Sequence, residues 1–193
     1  RYLRDPRVLV AECFAFLWGV HTPVIVMDID GTITRSDVPG LLVTLRPGIF
    51  DHTHSGICGL LTKVATEGAQ VVYLTSRPLS LAPKTRAFLT STKQDESMLP
   101  LGPLRCCRDK AASIIWRELV KKNMHEYKIR ALLDLVEVFR EAGKAFGDPV
   151  FAAGIGNKVT DAVAYRAAGI PTDFIFIINT DSSLQARDEH IYI

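Results

Sequence analysis

Four short and nearly continuous apolar runs recur along the chain, and longer stretches with helical periodicity separate them. The runs are VIVMD (24–28), VVYLT (71–75), VFAAG (150–154) and FIFII (174–178). Runs that lack a polar face are typical of parallel strands that are covered on both sides. Strands that alternate with helices indicate a doubly wound sheet. The sequence therefore predicts an α/β fold with a doubly wound, mainly parallel, Rossmann-like sheet.

The stretches between these runs carry helix start and stop signals. Ser55 is a candidate N-cap for a helix that Gly68 ends, and a proline lies in the first turn of the next helix. Gly143 and Gly169 each follow an amphipathic stretch and predict its end. The predicted helices cover residues 55–68, 81–91, 109–122, 126–142 and 160–169.

Composition narrows the class of protein. The chain has 193 residues, of which 48% are hydrophobic and 23% are charged, which is typical of a globular domain with a core. A net charge of +2 is too small to indicate a nucleic-acid partner. The four cysteines form no CxxC pair, which argues against a zinc site. No apolar run reaches the roughly 18 residues of a membrane span, and no signal peptide is recognisable.

The amino-terminal segment VLVAECFAFLW (8–18) is β-branched and aromatic, and it predicts a strand. Only GVHTP separates it from the next strand, which indicates a hairpin-like junction rather than a βαβ crossover. We therefore expect residues 1–22 to be the remnant strand of a neighbouring β unit and residues 23–180 to form the α/β domain. Residues 181–193 are expected to form a tail that could return to the β unit. Since the chain begins with Arg1, we expect it to be a piece of a longer protein.

Two aspartates, Asp28 and Asp30, stand one residue apart where the first buried strand ends. Open α/β sheets bind ligands at this edge. Carboxylates so close together repel, and each raises the pKa of the other. Mg²⁺ would hold both in the ionised form, because it binds through few carboxylates together with phosphate oxygens. Asn157 and Asp161 follow another strand, lie one helical turn apart and could complete the metal shell.

The same pair supports covalent phosphoryl transfer. Asp28 could form an acyl-phosphate as a nucleophile. Asp30 could protonate the leaving alkoxide and then activate water. Gly31 would let the chain turn and present free backbone N–H groups to an anion, and Thr32 would offer a hydroxyl.

Two further residues could act on the phosphoryl group. Thr75 ends a predicted strand and could hydrogen-bond to a phosphoryl oxygen. Lys128 lies near the start of a predicted helix and could steady the charge of the phosphoryl group and the carboxylates.

In order, these residues resemble the four motifs of the haloacid-dehalogenase-like phosphatases, and the match covers about residues 24 to 180. Within that superfamily, several segments are similar to the catalytic half of the lipins, a family of Mg²⁺-dependent phosphatidate phosphatases that release diacylglycerol. The segments are DIDGTITRSD, HSGI, YLTSRP, KTRAFL, LPLGPL, EYKIRAL and GNKVTDAVAYRAAGIP.

The resemblance implies roles for single residues. Asp28 would be the nucleophile of an aspartyl-phosphate mechanism and Asp30 the acid/base. Thr75 and Lys128 would hold the phosphoryl group. The metal ligands would be Asp28, the backbone carbonyl of Asp30, Asp161 and the nearby Asn157.

Three more residues are candidate substrate contacts. Ser76 is expected to contact phosphate. Arg77 could contact phosphate or form a structural salt bridge. For His54, which forms an HxH pair with His52, a substrate contact, a metal site and a helix-capping loop all remain open.

The resemblance also implies partners. The segment before Asp28 is similar to part of an immunoglobulin-like β unit, whose other half lies far upstream in lipins and would be the partner segment. The substrate would be phosphatidic acid in membranes. The expected location is cytoplasmic, peripheral at the endoplasmic reticulum or nuclear membrane, or nuclear.

Alternative functions stay open. Only about 40 residues separate the two aspartates from Thr75, so we expect no large cap over the site, which favours a large or membrane-bound substrate. A phosphatase that acts on a soluble phosphomonoester or a phosphoprotein is one alternative. A non-catalytic phosphatidate-sensing module is another, although the presence of Asp30 disfavours it.

Overall fold

The structure is a computed structural model that describes residues 13–35, 53–107 and 114–186, with the backbone alone over 114–125. The strands are β1 (Val24–Asp28), β2 (Gln70–Pro78), β3 (Lys93–Gln94), β4 (Ser97–Met98), β5 (Leu104–Cys107), β6 (Ala153–Gly156), β7 (Ile175–Ile178) and β8 (Leu184–Ala186). The helices are α1 (Ile57–Thr66), α2 (Ala82–Ser91), α3 (Ile114–Glu141) and α4 (Val159–Ala167).

Six strands form one sheet in the order β5-β2-β1-β6-β7-β8. All neighbouring pairs are parallel except β7 and β8. The chain moves outward from β1 to β2 and β5 and then returns to β6 on the other side of β1. A crevice therefore opens between the carboxyl ends of β1 and β6, where sheets of this type bind ligands. The predicted mainly parallel sheet is confirmed.

Helices cover both faces of this sheet. Val24 and Val26 of β1 pack on one face with Leu132 of α3 and Tyr165 of α4. Met27, the next residue of β1, belongs to a second buried cluster on the opposite face. This second cluster includes Leu61 of α1 and Leu89 of α2. Side chains of a strand alternate between its faces, so a continuously apolar β1 serves both cores.

Several helix and strand limits differ from those predicted. The helices predicted over 109–122 and 126–142 are one helix in the described part of the chain, α3, because the Asn-Met-His sequence between them holds no glycine or proline to break it. Helix α1 begins after Gly56, whose φ is 77°, and has no side-chain cap from Ser55. The strand predicted over 150–154 begins only at Ala153.

The predicted amino-terminal strand is not formed where the structure describes it. Residues 13–18 have no strand assignment, and residues 8–12 lie outside the described range. Leu17 is 97% exposed. The guanidinium carbon of Arg86 lies over the Phe14 ring, 4.1 Å from its centroid. Aromatic and β-branched residues favour a strand only when a neighbouring strand is there to pair with them. Whether this segment belongs to an immunoglobulin-like unit stays a prediction.

The carboxyl-terminal tail was predicted to begin at residue 181, but Leu184–Ala186 form β8, which pairs antiparallel with β7. These residues therefore extend the central sheet rather than a separate β unit. Residues 187–193 and His52 lie outside the described residues. The sequence also gave no signal for the edge strand β5 or the two-residue strands β3 and β4.

Candidate active site

Asp28 is the last residue of β1, the strand between β2 and β6, and its side chain is buried. Lys128 Nζ donates to its Oδ1 at 2.6 Å, and Thr32 Oγ1 donates to its Oδ2 at 2.9 Å. Burial raises the pKa of the Asp28 carboxyl to about 7, although the charge of Lys128 opposes this shift. The strand therefore ends in a carboxylate whose two oxygens are both held in place.

Lys128 lies on α3 and is buried with two carboxylates. Its Nζ donates to Asp28 Oδ1 and to Asp161 Oδ1, each at 2.6 Å. The two negative charges raise the pKa of the Lys128 ammonium above its ordinary value, against the opposing effect of burial. With both carboxylates ionised, this group of three side chains carries one net negative charge in a buried place.

Asp161 lies in the first turn of α4 and is fixed by backbone groups. Its Oδ2 accepts the N–H groups of Asn157 and Lys158 at 3.1 and 3.0 Å. A carboxylate is favourable at this end of a helix because the free N–H groups and the dipole are positive there. Gly156 allows the approach, since a Cβ at this residue would lie 2.5 Å from the Asp161 Cβ. The Gly-Asn-x-x-x-Asp pattern therefore places Asp161 within reach of Lys128.

Asp30 has a cation of its own. Arg77 Nη2 donates to Asp30 Oδ1 at 2.6 Å, and Arg77 Nε lies 3.1 and 3.0 Å from the two carboxylate oxygens. Thr75 Oγ1 donates to Asp30 Oδ2 at 2.9 Å. Arg77 Nη1 in turn donates to Thr85 Oγ1 on α2 at 3.3 Å. Of the two roles open for Arg77, the salt bridge is the one that the structure contains, and its phosphate contact stays a prediction.

The loop after β1 is a tight turn. The carbonyl of Ile29 accepts N–H groups from Thr32, Ile33 and Thr34. Gly31 has a φ of 80°, which fits the predicted need for glycine at the turn. Its N–H donates to Thr34 Oγ1 at 3.1 Å, however. The N–H that the sequence predicted to be free for an anion is thus engaged within the loop.

A cleft of about 540 Å³ opens over the carboxyl ends of β1, β6 and β7. It holds one basic side chain, Arg35, and one acidic side chain, Asp181. His54 lines it, and its ring Nδ1 lies 3.0 Å from Ser182 Oγ. The lining residues are Gly31, Arg35, His54, Asn157, Ile178, Asn179, Thr180 and Asp181.

Most of the predicted site residues lie together at this edge. Ser76 is half-buried on β2 between Thr75 and Arg77, and its phosphate contact stays a prediction. Sequence reasoning missed Thr85 and Ser182, each of which contacts a predicted site residue. It also missed Tyr165, which is buried beneath the site and donates to the Ile155 carbonyl at 2.8 Å. The lipin-like segment KTRAFL contains Thr85 and could have indicated it. Ser182 lies in a polar stretch that has no feature to distinguish it from an ordinary surface turn.

The donor set fits Mg²⁺. Across the described residues, no group of three His, Cys, Asp or Glu side chains converges as a metal site. Mg²⁺ needs fewer protein ligands, because it keeps waters and binds through one or two carboxylates plus phosphate oxygens. The carboxylates of Asp28 and Asp161 are both buried, and both accept from Lys128 Nζ. When both are ionised, they exceed the charge of this one ammonium. Their oxygen donors suit a hard cation, and Asn157, whose N–H donates to Asp161 Oδ2, is adjacent.

Comparison with known proteins identifies the family. Phosphatidic acid phosphohydrolase 1 of Saccharomyces cerevisiae is 36% identical over 174 residues, which cover 88% of this chain and 20% of that protein. Phosphatidate phosphatase PAH1 of Arabidopsis thaliana is 37% identical over 87% of this chain and 18% of its own length. Phosphatidate phosphatase LPIN1 of Homo sapiens is 34% identical over 88% of this chain and 18% of its own length.

The chain thus spans about a fifth of the length of these relatives. Among solved structures, one of the Pnkp1/Rnl/Hen1 RNA repair complex covers 86% of this chain and 45% of its own at 17% identity. Its TM-score of 0.44 is too low to support an argument. The family profile described as LNS2 (Lipin/Ned1/Smp2) matches residues 6–192. The chain therefore belongs to the LNS2 (Lipin/Ned1/Smp2) family.

Proposed function

We propose that this chain carries the catalytic site of a Mg²⁺-dependent phosphatidate phosphatase, which hydrolyses phosphatidic acid to diacylglycerol and phosphate. One observation supports the proposal above others. Asp28 is buried at the carboxyl end of a central strand, and the buried ammonium of Lys128 holds one of its oxygens at 2.6 Å. The names of the relatives supply the substrate.

The chemistry proceeds in two displacements at phosphorus, as in haloacid-dehalogenase-like phosphatases. A carboxylate oxygen of Asp28 forms a bond to phosphorus while the bond from phosphorus to the ester oxygen breaks. Asp30 gives its proton to the departing alkoxide, which leaves as diacylglycerol. Asp30 then takes a proton from water as the water oxygen bonds to the same phosphorus. The acyl-phosphate bond breaks, so that phosphate leaves and Asp28 is regenerated.

The surrounding side chains orient and stabilise these groups. Thr32 and Lys128 fix the rotamer of Asp28, and the Lys128 ammonium lies where it can offset negative charge on the transferring oxygens. Thr75 and Arg77 hold Asp30. A Mg²⁺ ion held by Asp28, Asp161, Asn157 and the Asp30 carbonyl would stabilise charge on the phosphoryl oxygens.

The membrane context is also a proposal. No helix in the described ranges is long and apolar enough to cross a bilayer. We propose peripheral action from the cytoplasm on phosphatidic acid in the endoplasmic reticulum or nuclear membrane. The partner would be an amino-terminal lipin segment that completes a β unit around residues 8–18. Vesicle co-sedimentation with and without that segment tests this part, and tight, salt-resistant binding by the 193-residue chain alone would contradict it.

A second candidate is a phosphatase for a soluble phosphomonoester or phosphoprotein. The polar lining of the cleft favours it, since Asn157, Asn179, Thr180 and Asp181 would all suit a hydrated leaving group. The non-catalytic sensing module gains no comparable support, because Asp30 is present and held by Arg77.

Phosphate release from phosphatidate in detergent mixed micelles, compared with release from p-nitrophenyl phosphate, separates these functions. We expect Mg²⁺-dependent turnover of phosphatidate that excess chelator abolishes and that Ca²⁺ restores poorly, since Ca²⁺ prefers a looser and higher coordination. Asp28→Asn is the matched inactive control. Turnover of the aryl phosphate alone would favour the soluble substrate. Phosphatidate binding without turnover of either substrate would favour the sensing module.

A further inference from the structure

The imidazole of His54 joins two segments that are distant in sequence. Its Nδ1 lies 3.0 Å from the Oγ of Ser182, 128 residues further along the chain. The ring also hydrogen-bonds to the backbone of Gly31, in the turn that follows the nucleophile. His54 is only 1% exposed. The ring is therefore engaged inside the protein and is not open to solvent.

The buried imidazole of His54 favours its neutral form. Burial lowers the pKa of His54, with the charge of Arg35 adding to the effect and Asp181 opposing it. A neutral imidazole donates through one nitrogen and accepts through the other. The contact between Nδ1 and Ser182 forms in either tautomer, since the Ser182 hydroxyl can donate or accept. Ser182 Oγ in turn accepts the Ser55 N–H at 3.3 Å.

The turn that presents Ser182 is firmly held. Asn179 N–H donates to the Ser183 carbonyl and Ser182 N–H to the Asn179 carbonyl, both at 2.9 Å. Asp181 Oδ1 accepts from the N–H and the hydroxyl of Ser183 at 2.9 and 2.7 Å. Ser182 has a φ of 71°, a left-handed conformation that is uncommon for serine. In this backbone conformation, the Ser182 hydroxyl contacts the His54 ring.

The same turn forms one wall of the cleft. Asn179, Thr180 and Asp181 line it together with Gly31 and Asn157, which belong to the loops of the nucleophile and of Asp161. A phosphoryl group that reaches Asp28 has its ester oxygen directed away from the nucleophile, because attack is in line. The open cleft lies beside the nucleophile loop and can take the rest of the ester. The side chains of Asn179, Thr180 and Asp181 in its lining suit hydroxyl and ester oxygens near the phosphate.

We propose that His54 is a positioning residue that fixes the turn 179–183 against the Gly31 loop, and that this turn recognises the alcohol part of the phosphoester. For phosphatidate, that part is the glycerol backbone with its ester carbonyls. The proposal rests on the proposed phosphatase function. It departs from a direct contact between His54 and substrate, because the imidazole is buried and its Nδ1 already contacts Ser182.

Two substitutions break the contact in different ways. Ser182→Gly removes the hydroxyl and tolerates the positive φ. His54→Gln keeps a polar side chain but does not reproduce the ring nitrogen that contacts Ser182. We expect each to lower kcat/KM for dioctanoyl phosphatidate about tenfold, mainly through KM, since one hydrogen-bonded contact of this kind is worth about 1.4 kcal/mol. The kcat/KM for phenyl phosphate, which has no glycerol, should fall much less.

Controls separate this proposal from a loss of structure. Ser91→Ala removes an exposed hydroxyl on α2 and should leave both substrates unaffected. Asp181→Ala keeps the side chains of His54 and Ser182 but changes the exposed wall and removes the carboxylate that holds the turn. It should show the same selective loss even if the His54 variant fails to fold. An equal loss for both substrates in Ser182→Gly, or full phosphatidate activity in both Ser182→Gly and Asp181→Ala, would overturn the proposal. Failure of the unsubstituted protein to hydrolyse phosphatidate would instead count against the proposed function.

Discussion

Lys128 Nζ lies 2.6 Å from Asp28 Oδ1, although the two residues stand 100 positions apart in the chain. The same nitrogen lies 2.6 Å from Asp161 Oδ1. One ammonium therefore separates two buried carboxylates that come from different sides of the topological crevice. Removing the Lys128 ammonium would leave two carboxylates without a counter-charge, and removing the carboxylates would leave the ammonium without one. Unpaired charges are costly in a buried site.

Lys128→Met should be strongly destabilising in the absence of metal. The two carboxylates would lose their shared cation, and breaking a buried pair in this way costs about 3–5 kcal/mol. Urea unfolding in chelator at pH 8 measures the change. Adding Asp28→Asn to Lys128→Met should recover part of the loss, and Lys63→Met on the exposed face of α1 is the control. A free energy of unfolding within about 0.5 kcal/mol of the unsubstituted protein would contradict the account.

The metal-free domain should lose stability as the pH rises from about 4 to about 7. The pKa of Asp28 is 3.8 without the fold's influence and about 7 in the folded state, because burial disfavours its charge. The folded state therefore binds more protons than the unfolded state between these values, so this contribution is full below pH 4 and is lost toward pH 7. The measurement is the difference in stability between the unsubstituted protein and Asp28→Asn across pH, in chelator. If the free energies of unfolding of the two proteins changed in parallel with pH, the pKa of Asp28 would not be raised in the folded state.

Asp30 and Arg77 should behave as one unit in catalysis. Asp30→Asn removes the proton-transfer group and should lower kcat by about 10²–10⁴-fold. Arg77→Lys keeps the charge but loses the two-pronged contact, and a misplaced acid/base group can cost up to about 10²-fold. Combining the two substitutions should be scarcely worse than Asp30→Asn alone. If the loss of kcat in the double variant equalled the product of the two single losses, Arg77 would act independently of Asp30, for example on phosphate.

Gly156→Ala should displace Asp161. The new Cβ would lie 2.5 Å from the Asp161 Cβ and 2.8 Å from its Oδ2, and overpacking of this kind costs about 1–3 kcal/mol. Thermal unfolding should show the loss, and Mg²⁺ affinity should fall with it. Gly59→Ala is the matched control on α1, where the Cβ meets nothing closer than Ser97 Oγ at 3.9 Å. Equal stability of the two variants would show that residue 156 does not need to be glycine to make room for Asp161.

Local sequence carries much of this fold. Strand β1 is predictable because its apolar run serves two cores, and the limits of α2 and α4 follow from a proline near the start of one and Gly169 after the other. The positions of Asp28 and Asp161 at one edge follow from strand ends, since a parallel sheet brings its carboxyl ends together. Lys128 reaches them from within α3, so its position depends on how that helix packs against the sheet.

Contacts between distant segments could not be read in the same way. The sequence does not specify which cation pairs with each aspartate, whereas the structure pairs Asp28 with Lys128 and Asp30 with Arg77. The metal predicted for the two aspartates stays a prediction. The pairing of Ser182 with His54 has no local signature. The apolar segment before β1 predicted a strand, yet its residues 13–18 find no pairing strand among the described residues.

Trapping of the acyl-phosphate intermediate identifies the nucleophile. Borohydride reduces an aspartyl phosphate to homoserine, so protein that is turning over phosphatidate can be quenched with borohydride and mapped by peptide mass spectrometry. The account predicts homoserine at residue 28, and none there in Asp28→Asn, which should also release no phosphate while keeping its fold. Reduction at a different carboxylate, or phosphate release by folded Asp28→Asn at the unsubstituted rate, would contradict it.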